Sequence, residues 1–323
     1  MSGTLLSVAN LKKYFPVNAG SFGMEKRLVK AVDDVTFDIA RQETFALVGE
    51  SGCGKSTLGR AILRLVEPTS GSVTLGGTDI LALKPEALRR MRTRMQIIFQ
   101  DPYASLDPRM RVGDIIAEPL ATHEQGNRAD RETRVLELMK VVGLRSDGIR
   151  RYPHEFSGGQ RQRIGIARAL ALNPEFIVCD EPLSALDVSI QAQVLNLLGD
   201  LQSEFKLTYL FITHDLSVVR HFAPRVGVMF LGKMVEMGQT EELFVSPRHP
   251  YTRFLMSAVP IPNPRMRNRE KLLIEGEIPS PMNLPSGCRF RTRCPYATAL
   301  CSELDPPTVV EGNRSWACHF PLK

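Results

Sequence analysis

Nine residues, GESGCGKST from Gly49 to Thr57, constrain this 323-residue chain more than any other stretch. They match the pattern G-x-x-x-x-G-K-[ST], and they lie between an apolar run, FALVG, and an amphipathic one, KSTLGRAILRLV. That strand–loop–helix setting is the one in which the pattern can work. Glycines let backbone N–H groups close around a phosphate, and a helix that starts at once adds its positive dipole end. Lys55 is then placed to reach the outer phosphates of a nucleotide, and the Ser56 hydroxyl to ligate Mg2+. The nucleotide-binding set read here is Gly49, Glu50, Ser51, Gly52, Cys53, Gly54, Lys55, Ser56 and Thr57, with Cys53 on a free position of the pattern and given no role of its own.

Around this loop, the runs FALVG, FIVCDEP and YLFITHD alternate with helical stretches such as GQRQRIGIARALAL. Near-continuous apolar strands alternating with helices predict an α/β fold with a parallel sheet covered on both faces. Residues from about 101 to 165 read as a helical, charged insert, as in RADRETRVLELMKVVGL. From Pro260 the texture turns to Pro and Gly, in PIPNPRMRNREK and GEIPSPMNLPSG, which predicts a linker and a boundary near residue 258. Residues 259–323 are then a small appendage. A 43% hydrophobic, 24% charged composition suits an ordinary globular core. No run approaches the roughly 18 apolar residues of a membrane span, and MSGTLLSVANLKKYFPV lacks the order of a secretory signal, so a cytoplasmic location is expected. The net charge of +6 fits nucleic acid, anionic lipid or a solvated surface, and the basic run Arg265–Lys271 is read as solvated ahead of a lipid contact.

Two strand ends carry further chemistry. Asp180, closing FIVCD, suits a Mg2+ contact, and adjacent Glu181 can polarise an attacking water; a carboxylate pair before Pro182 also suits a simple helix start. His214 ends YLFIT and can hydrogen-bond a γ-phosphate, although a lone histidine there is commonly structural. In open α/β sheets ligands gather at the carboxyl ends of strands, where Gly49, Asp180 and His214 all fall.

The stretch FSGGQRQR, Phe156 to Arg163, opens a long helix with a hydroxyl and bare N–H groups, a second phosphate-holding end. Together with GESGCGKST and DEPLSALD it resembles the ATP-binding cassette ATPases over residues 5 to 258 or so, with Phe156 where many members carry leucine. The resemblance implies a RecA-like parallel-sheet core, an antiparallel β subdomain and the helical insert. It implies that Gln100 is the Q-loop residue sensing Mg2+ and the membrane partner, and that Ser157, Gly158, Gly159 and Gln160 form the signature. It implies further that Asp187 is the D-loop residue, His214 the switch histidine and Tyr14 the aromatic stacked on adenine, with Phe15 close behind. The family works as a head-to-tail pair with two nucleotides between the cassettes. Hydrolysis would use Glu181 to orient water, with Lys55, Gln100, His214, Mg2+ and Ser157 of the partner subunit stabilising the transferring charge.

The run SPRHPYTRFLMSAVP and the later GEIPSPMNLPSGCRFRTRC resemble the C-terminal region of oligopeptide, dipeptide and nickel importer ATPases, most of all the F-type ATPase of bacterial dipeptide importers. That resemblance implies a second, related ATPase subunit, two integral membrane subunits, an external peptide-binding protein and a peripheral place on the cytoplasmic face of the inner membrane, with no nucleic acid. A nickel or other solute transporter and a soluble non-transport cassette protein are the alternatives. Four of the six cysteines fall at Cys288, Cys294, Cys301 and Cys318, spaced C-x5-C-x6-C-x16-C. The family resemblance implies a 4Fe-4S cluster on these four, with zinc or unligated buried thiols as the other readings. In this reading the thiols hold the appendage together and take no part in hydrolysis; a redox-sensing role stays open.

Overall fold

The computed structural model describes residues 3–19, 25–257, 276–277 and 279–323. The linker stretch PIPNPRMRNREK with its basic run Arg265–Lys271, and the boundary near 258, lie outside the described residues.

The chain runs through β1 (Thr4–Ala19), β2 (Glu25–Ala40), β3 (Thr44–Val48), α1 (Lys55–Ile62), β4 (Ser70–Leu75), β5 (Thr78–Asp79), α2 (Pro85–Met91) and β6 (Met95–Ile98). There follow α3 (Val112–Thr122), α4 (Arg128–Val141), α5 (Gly158–Leu170), β7 (Phe176–Asp180), α6 (Val188–Phe205), β8 (Thr208–Thr213), α7 (Leu216–Phe222), β9 (Arg225–Phe230) and β10 (Lys233–Gln239). The last elements are α8 (Thr240–Val245), α9 (Pro250–Ser257), α10 (Ala299–Glu303), β11 (Thr308–Glu311) and β12 (Arg314–Ala317).

Two compact units divide these elements. One comprises Ile39–Glu43 and Gly76–Ile212 with the first five residues, and the other Leu6–Asp38, Thr44–Leu75 and Thr213–Lys323. In the first, β6, β7 and β8 run parallel, with Ile98 opposite Cys179 and Asp180 opposite Ile212. Every residue of β7 and β8 is buried, which explains why their sequences read as unbroken apolar runs. The predicted insert is built from α3, α4 and α5. Asn127 caps α4 reciprocally: its Oδ1 accepts from Ala129 and Asp130 N–H, and Asp130 returns a bond to the Asn127 N–H at 2.9 Å.

In the second unit β1 pairs antiparallel with β4, from Leu6 opposite Leu75 to Lys12 opposite Ser70. There β3 pairs parallel with β9 (Val48 opposite Val228), and β9, β10, β12 and β11 continue antiparallel. The described part of the C-terminal region is therefore woven into a sheet, since Glu236 of β10 faces Trp316 of β12. Its Phe290, 1% exposed, packs edge-on against Phe230 at 5.4 Å and against Tyr251 at 5.3 Å. An appendage stitched by thiols alone does not describe it; β-pairing and aromatic packing do.

Beneath that cluster lies His249, 1% exposed, whose Nδ1 accepts from the Tyr251 N–H at 3.0 Å. Burial pushes its pKa down to about 3. The folded chain thus keeps the ring neutral where the unfolded chain protonates it below about pH 6.5, so stability is full above that pH and falls as acid is added. The loss reaches about 2 kcal/mol by pH 5. His249→Asn keeps an acceptor near the Nδ1 position without a titrating ring. Urea unfolding at pH 7 and pH 5 should show the wild type losing about 2 kcal/mol more than this variant; equal losses would remove His249 as the source.

Candidate functional site

The cradle belongs to the second unit. β3 delivers its chain into the loop from Gly49, and α1 begins at Lys55 with Gly54 as its N-cap, φ 109° and no side-chain cap bond. Gly54 brings no side chain to compete for the start of the helix, as an anion site requires. A Cβ on Gly54 would stand 2.0 Å from the Ala31 carbonyl oxygen, and one on Gly49 would stand 2.2 Å from that of Met229. Neither position accepts another residue, and together they draw the loop tightly onto its neighbours. Lys55, 4% exposed, donates from Nζ to the carbonyls of Gly49 (2.8 Å) and Glu50 (3.1 Å). Cys53 is buried, and burial pushes its thiol up. Ser56 and Thr57 are half-buried on the first turn, and Ser51 and Gly52 are exposed at the loop's tip.

Tyr14 and Phe15 are both half-buried on β1. The Tyr14 hydroxyl donates to Asp33, the Tyr14 N–H is held by Thr69 Oγ1 at 2.9 Å, and the Lys30 ammonium stands 5.5 Å from the ring centre. Burial, followed by the bond to Asp33, raises the Tyr14 phenol to about 12. Phe15 carries Lys13 Nζ over its ring at 4.7 Å. His214 is exposed in the turn between β8 and α7, whose N-cap Asp215 accepts from the Ser217 N–H at 2.8 Å.

The first unit carries the carboxylates. Asp180 ends β7 at 1% exposure. Glu181 follows at φ 46°, a left-handed conformation costly for a residue with a Cβ, and its N–H is fixed to the Ile212 carbonyl at 3.0 Å. Gln100, exposed beyond β6, donates from Nε2 to Glu181 Oε2 at 3.0 Å. The structure thus brings two residues 81 positions apart into direct contact.

Ser157 caps α5 in a reciprocal box: Gln160 Oε1 accepts from the Ser157 N–H at 3.0 Å, while the Gln160 N–H to Ser157 Oγ distance is a longer 3.4 Å. Gly159 is forced small, since a Cβ there would lie 2.5 Å from Ile190 Cγ2. Asp187 is exposed, and although it is the N-cap of α6 its side chain makes no capping bond. Two residues here escaped the sequence reading. The Arg161 guanidinium lies over the Tyr103 ring at 4.2 Å, joining the segment after Gln100 to α5. No local pattern in the chain announces that stacking.

The cysteine assignment is corrected. Among the described residues no group of three or more His, Cys, Asp or Glu side chains is placed to hold a metal ion. Burial pushes the thiols of Cys288, Cys294 and Cys318 up, the last to about 11. Cys301 is buried with its sulfur 3.8 Å from Thr298 Oγ1. With no such group assembled among the described residues, neither the 4Fe-4S cluster nor zinc is carried further.

A family profile described as ABC transporter matches residues 32–184. Oligopeptide transport ATP-binding protein AppF of Bacillus subtilis is 55% identical over 320 residues, covering 98% of this chain and 97% of that protein. The chain belongs to the ABC transporter family. A second profile, the oligopeptide/dipeptide transporter C-terminal region, matches residues 235–301 of this cassette. Oligopeptide transport ATP-binding protein OppF of Salmonella typhimurium is 55% identical, covering 96% of this chain and 93% of that protein. Of solved structures, the dimeric post-hydrolysis state of the ATP-binding cassette MJ0796 bound to ADP and Pi superposes with a TM-score of 0.65 at 29% identity, covering 73% of this chain and 99% of that one. The cassette is an ATPase, and the relatives just described are named for oligopeptides, not for dipeptides. Among the described residues, no helix is long and apolar enough to cross a membrane.

Proposed function

We propose that this cassette is the ATP-hydrolysing subunit of a bacterial oligopeptide importer. The observation that carries the reading is the end-to-end identity with oligopeptide transport ATP-binding proteins, the C-terminal region included. Residues Gly49–Thr57 hold the triphosphate through backbone N–H groups and Lys55, and Tyr14 stacks on the adenine. Mg2+, when bound, neutralises charge on the phosphate oxygens, and Ser56, Gln100 and Asp180 are the side chains suited to hold it. Glu181 takes the proton side of the reaction: its carboxylate, oriented by Gln100, polarises the water that attacks the γ-phosphorus. His214 hydrogen-bonds the γ-phosphate. Ser157, Gln160 and Asp187 are exposed and Gly158 and Gly159 half-buried; in this reading the five serve the nucleotide of a partner cassette.

That partner is a related ATPase in this reading. The pair docks on two integral membrane subunits at the cytoplasmic face of the membrane, supplied by an external peptide-binding protein. Pull-down of the full chain from detergent-solubilised membranes, with mass spectrometry of its companions, tests this. Two integral membrane proteins and a second cassette are expected; recovery of the chain only with itself would overturn the heterodimer, and recovery with no membrane protein would overturn the transporter assignment.

A further inference from the structure

The loop from Cys288 to Cys294, CRFRTRC, lies some 240 residues downstream of the cradle yet touches it. Arg293, with its side chain 7% exposed, grips the Glu50 carboxylate with both terminal nitrogens, at 2.8 and 3.0 Å. Glu50 is a cradle residue whose N–H donates to the buried Tyr251 hydroxyl at 2.9 Å and whose carbonyl accepts from Lys55 Nζ. At the other end of the loop Arg289 donates to the Leu231 carbonyl and to Asp33, the residue that accepts from the Tyr14 hydroxyl. Between them Phe290 is locked into the aromatic core, so the loop is a rigid strut. The Gly232 N–H bonds to the Cys53 carbonyl, and its own carbonyl accepts from the Asp33 N–H, both at 2.8 Å, which ties the two arginine contacts into one frame.

Glu50 puts a carboxylate on the rim of a loop whose task is to hold a polyanion. Unless it is neutralised, that charge repels the triphosphate. A bidentate, largely desolvated arginine cancels it and fixes the side chain, and with it the peptide planes on either side. We propose that Arg293 is a positioning residue for ATP: by neutralising and clamping Glu50, the C-terminal region sets the affinity of the cradle for nucleotide. The inference rests on the reading of Gly49–Thr57 as the ATP cradle.

The test is equilibrium binding of MgATP to the purified full chain and four variants. Arg293→Gln should weaken binding about tenfold, within the usual range for coupled sites. The double variant Glu50→Gln with Arg293→Gln, which removes the repelling charge as well, should return to within about threefold of wild type. Arg291→Gln, on the same loop but bonded to Ser286, controls for loop damage and should bind as wild type. Lys55→Ala should abolish binding. Unchanged binding by Arg293→Gln, equal loss by Arg291→Gln, or a double variant no better than Arg293→Gln each overturns the proposal while leaving the cradle standing. Undiminished binding by Lys55→Ala overturns the cradle reading and this inference with it. Should Arg293→Gln fail to fold, Arg293→Lys takes its place with about a threefold loss expected, and wild-type affinity there counts against the proposal.

Discussion

Glu181→Gln is expected to bind MgATP as the wild type does and to hydrolyse it about 10²- to 10⁴-fold more slowly, the usual range for losing a general base. The amide keeps the size of the side chain and an oxygen that can still accept from Gln100 Nε2, so the bond now measured at 3.0 Å survives. What it lacks is the charge that polarises water. The left-handed backbone at Glu181, φ 46°, is set by the Ile212 carbonyl and does not depend on the side chain, so the substitution tests chemistry and not folding. Phosphate release measured alongside nucleotide binding separates the two effects. Hydrolysis at the wild-type rate would take Glu181 out of its role.

Glu236→Ala should destabilise the chain by about 3–5 kcal/mol, the cost of stranding a buried charge. The Glu236 side chain is fully buried on β10, where it accepts from Arg314 Nη2 at 2.6 Å and from the Arg248 and His249 N–H groups at 2.8 Å each. Truncation leaves two amides and a guanidinium without that acceptor. Glu236→Gln should recover only part of the loss, because one of its two oxygens becomes a donor facing other donors. Urea unfolding gives the magnitude. Trp316, the chain's single tryptophan and paired with Glu236 across the strands, gives a local fluorescence signal for detachment of β12. A loss below about 1 kcal/mol, the range of an exposed pair, would show that the network is worth no more than a surface contact.

Much of the cassette was legible from the chain because its chemistry is written over short spans. The cradle needs a strand, a glycine loop and a helix start within a few residues, and Ser157 reaches only to Gln160. The buried strands β3, β7 and β8 read as strands because both their faces are covered. The cysteine reading failed for a related reason. Spacing and family resemblance say which thiols lie in one segment, but whether side chains converge as ligands depends on how the chain packs, and among the described residues no such group is assembled.

What the sequence by itself determined is the phosphate-loop pattern, the parallel α/β alternation and a long helix opening at Ser157, each set by backbone geometry acting over one or two turns of chain. Only the tertiary structure decided that Arg293 meets Glu50 across 243 residues, that Arg289 meets Asp33 across 256, and that Gln100 meets Glu181 across 81. Such pairs carry no local signature, because a charge-assisted bond is indifferent to the length of chain between its partners and depends only on where the folded backbone brings them.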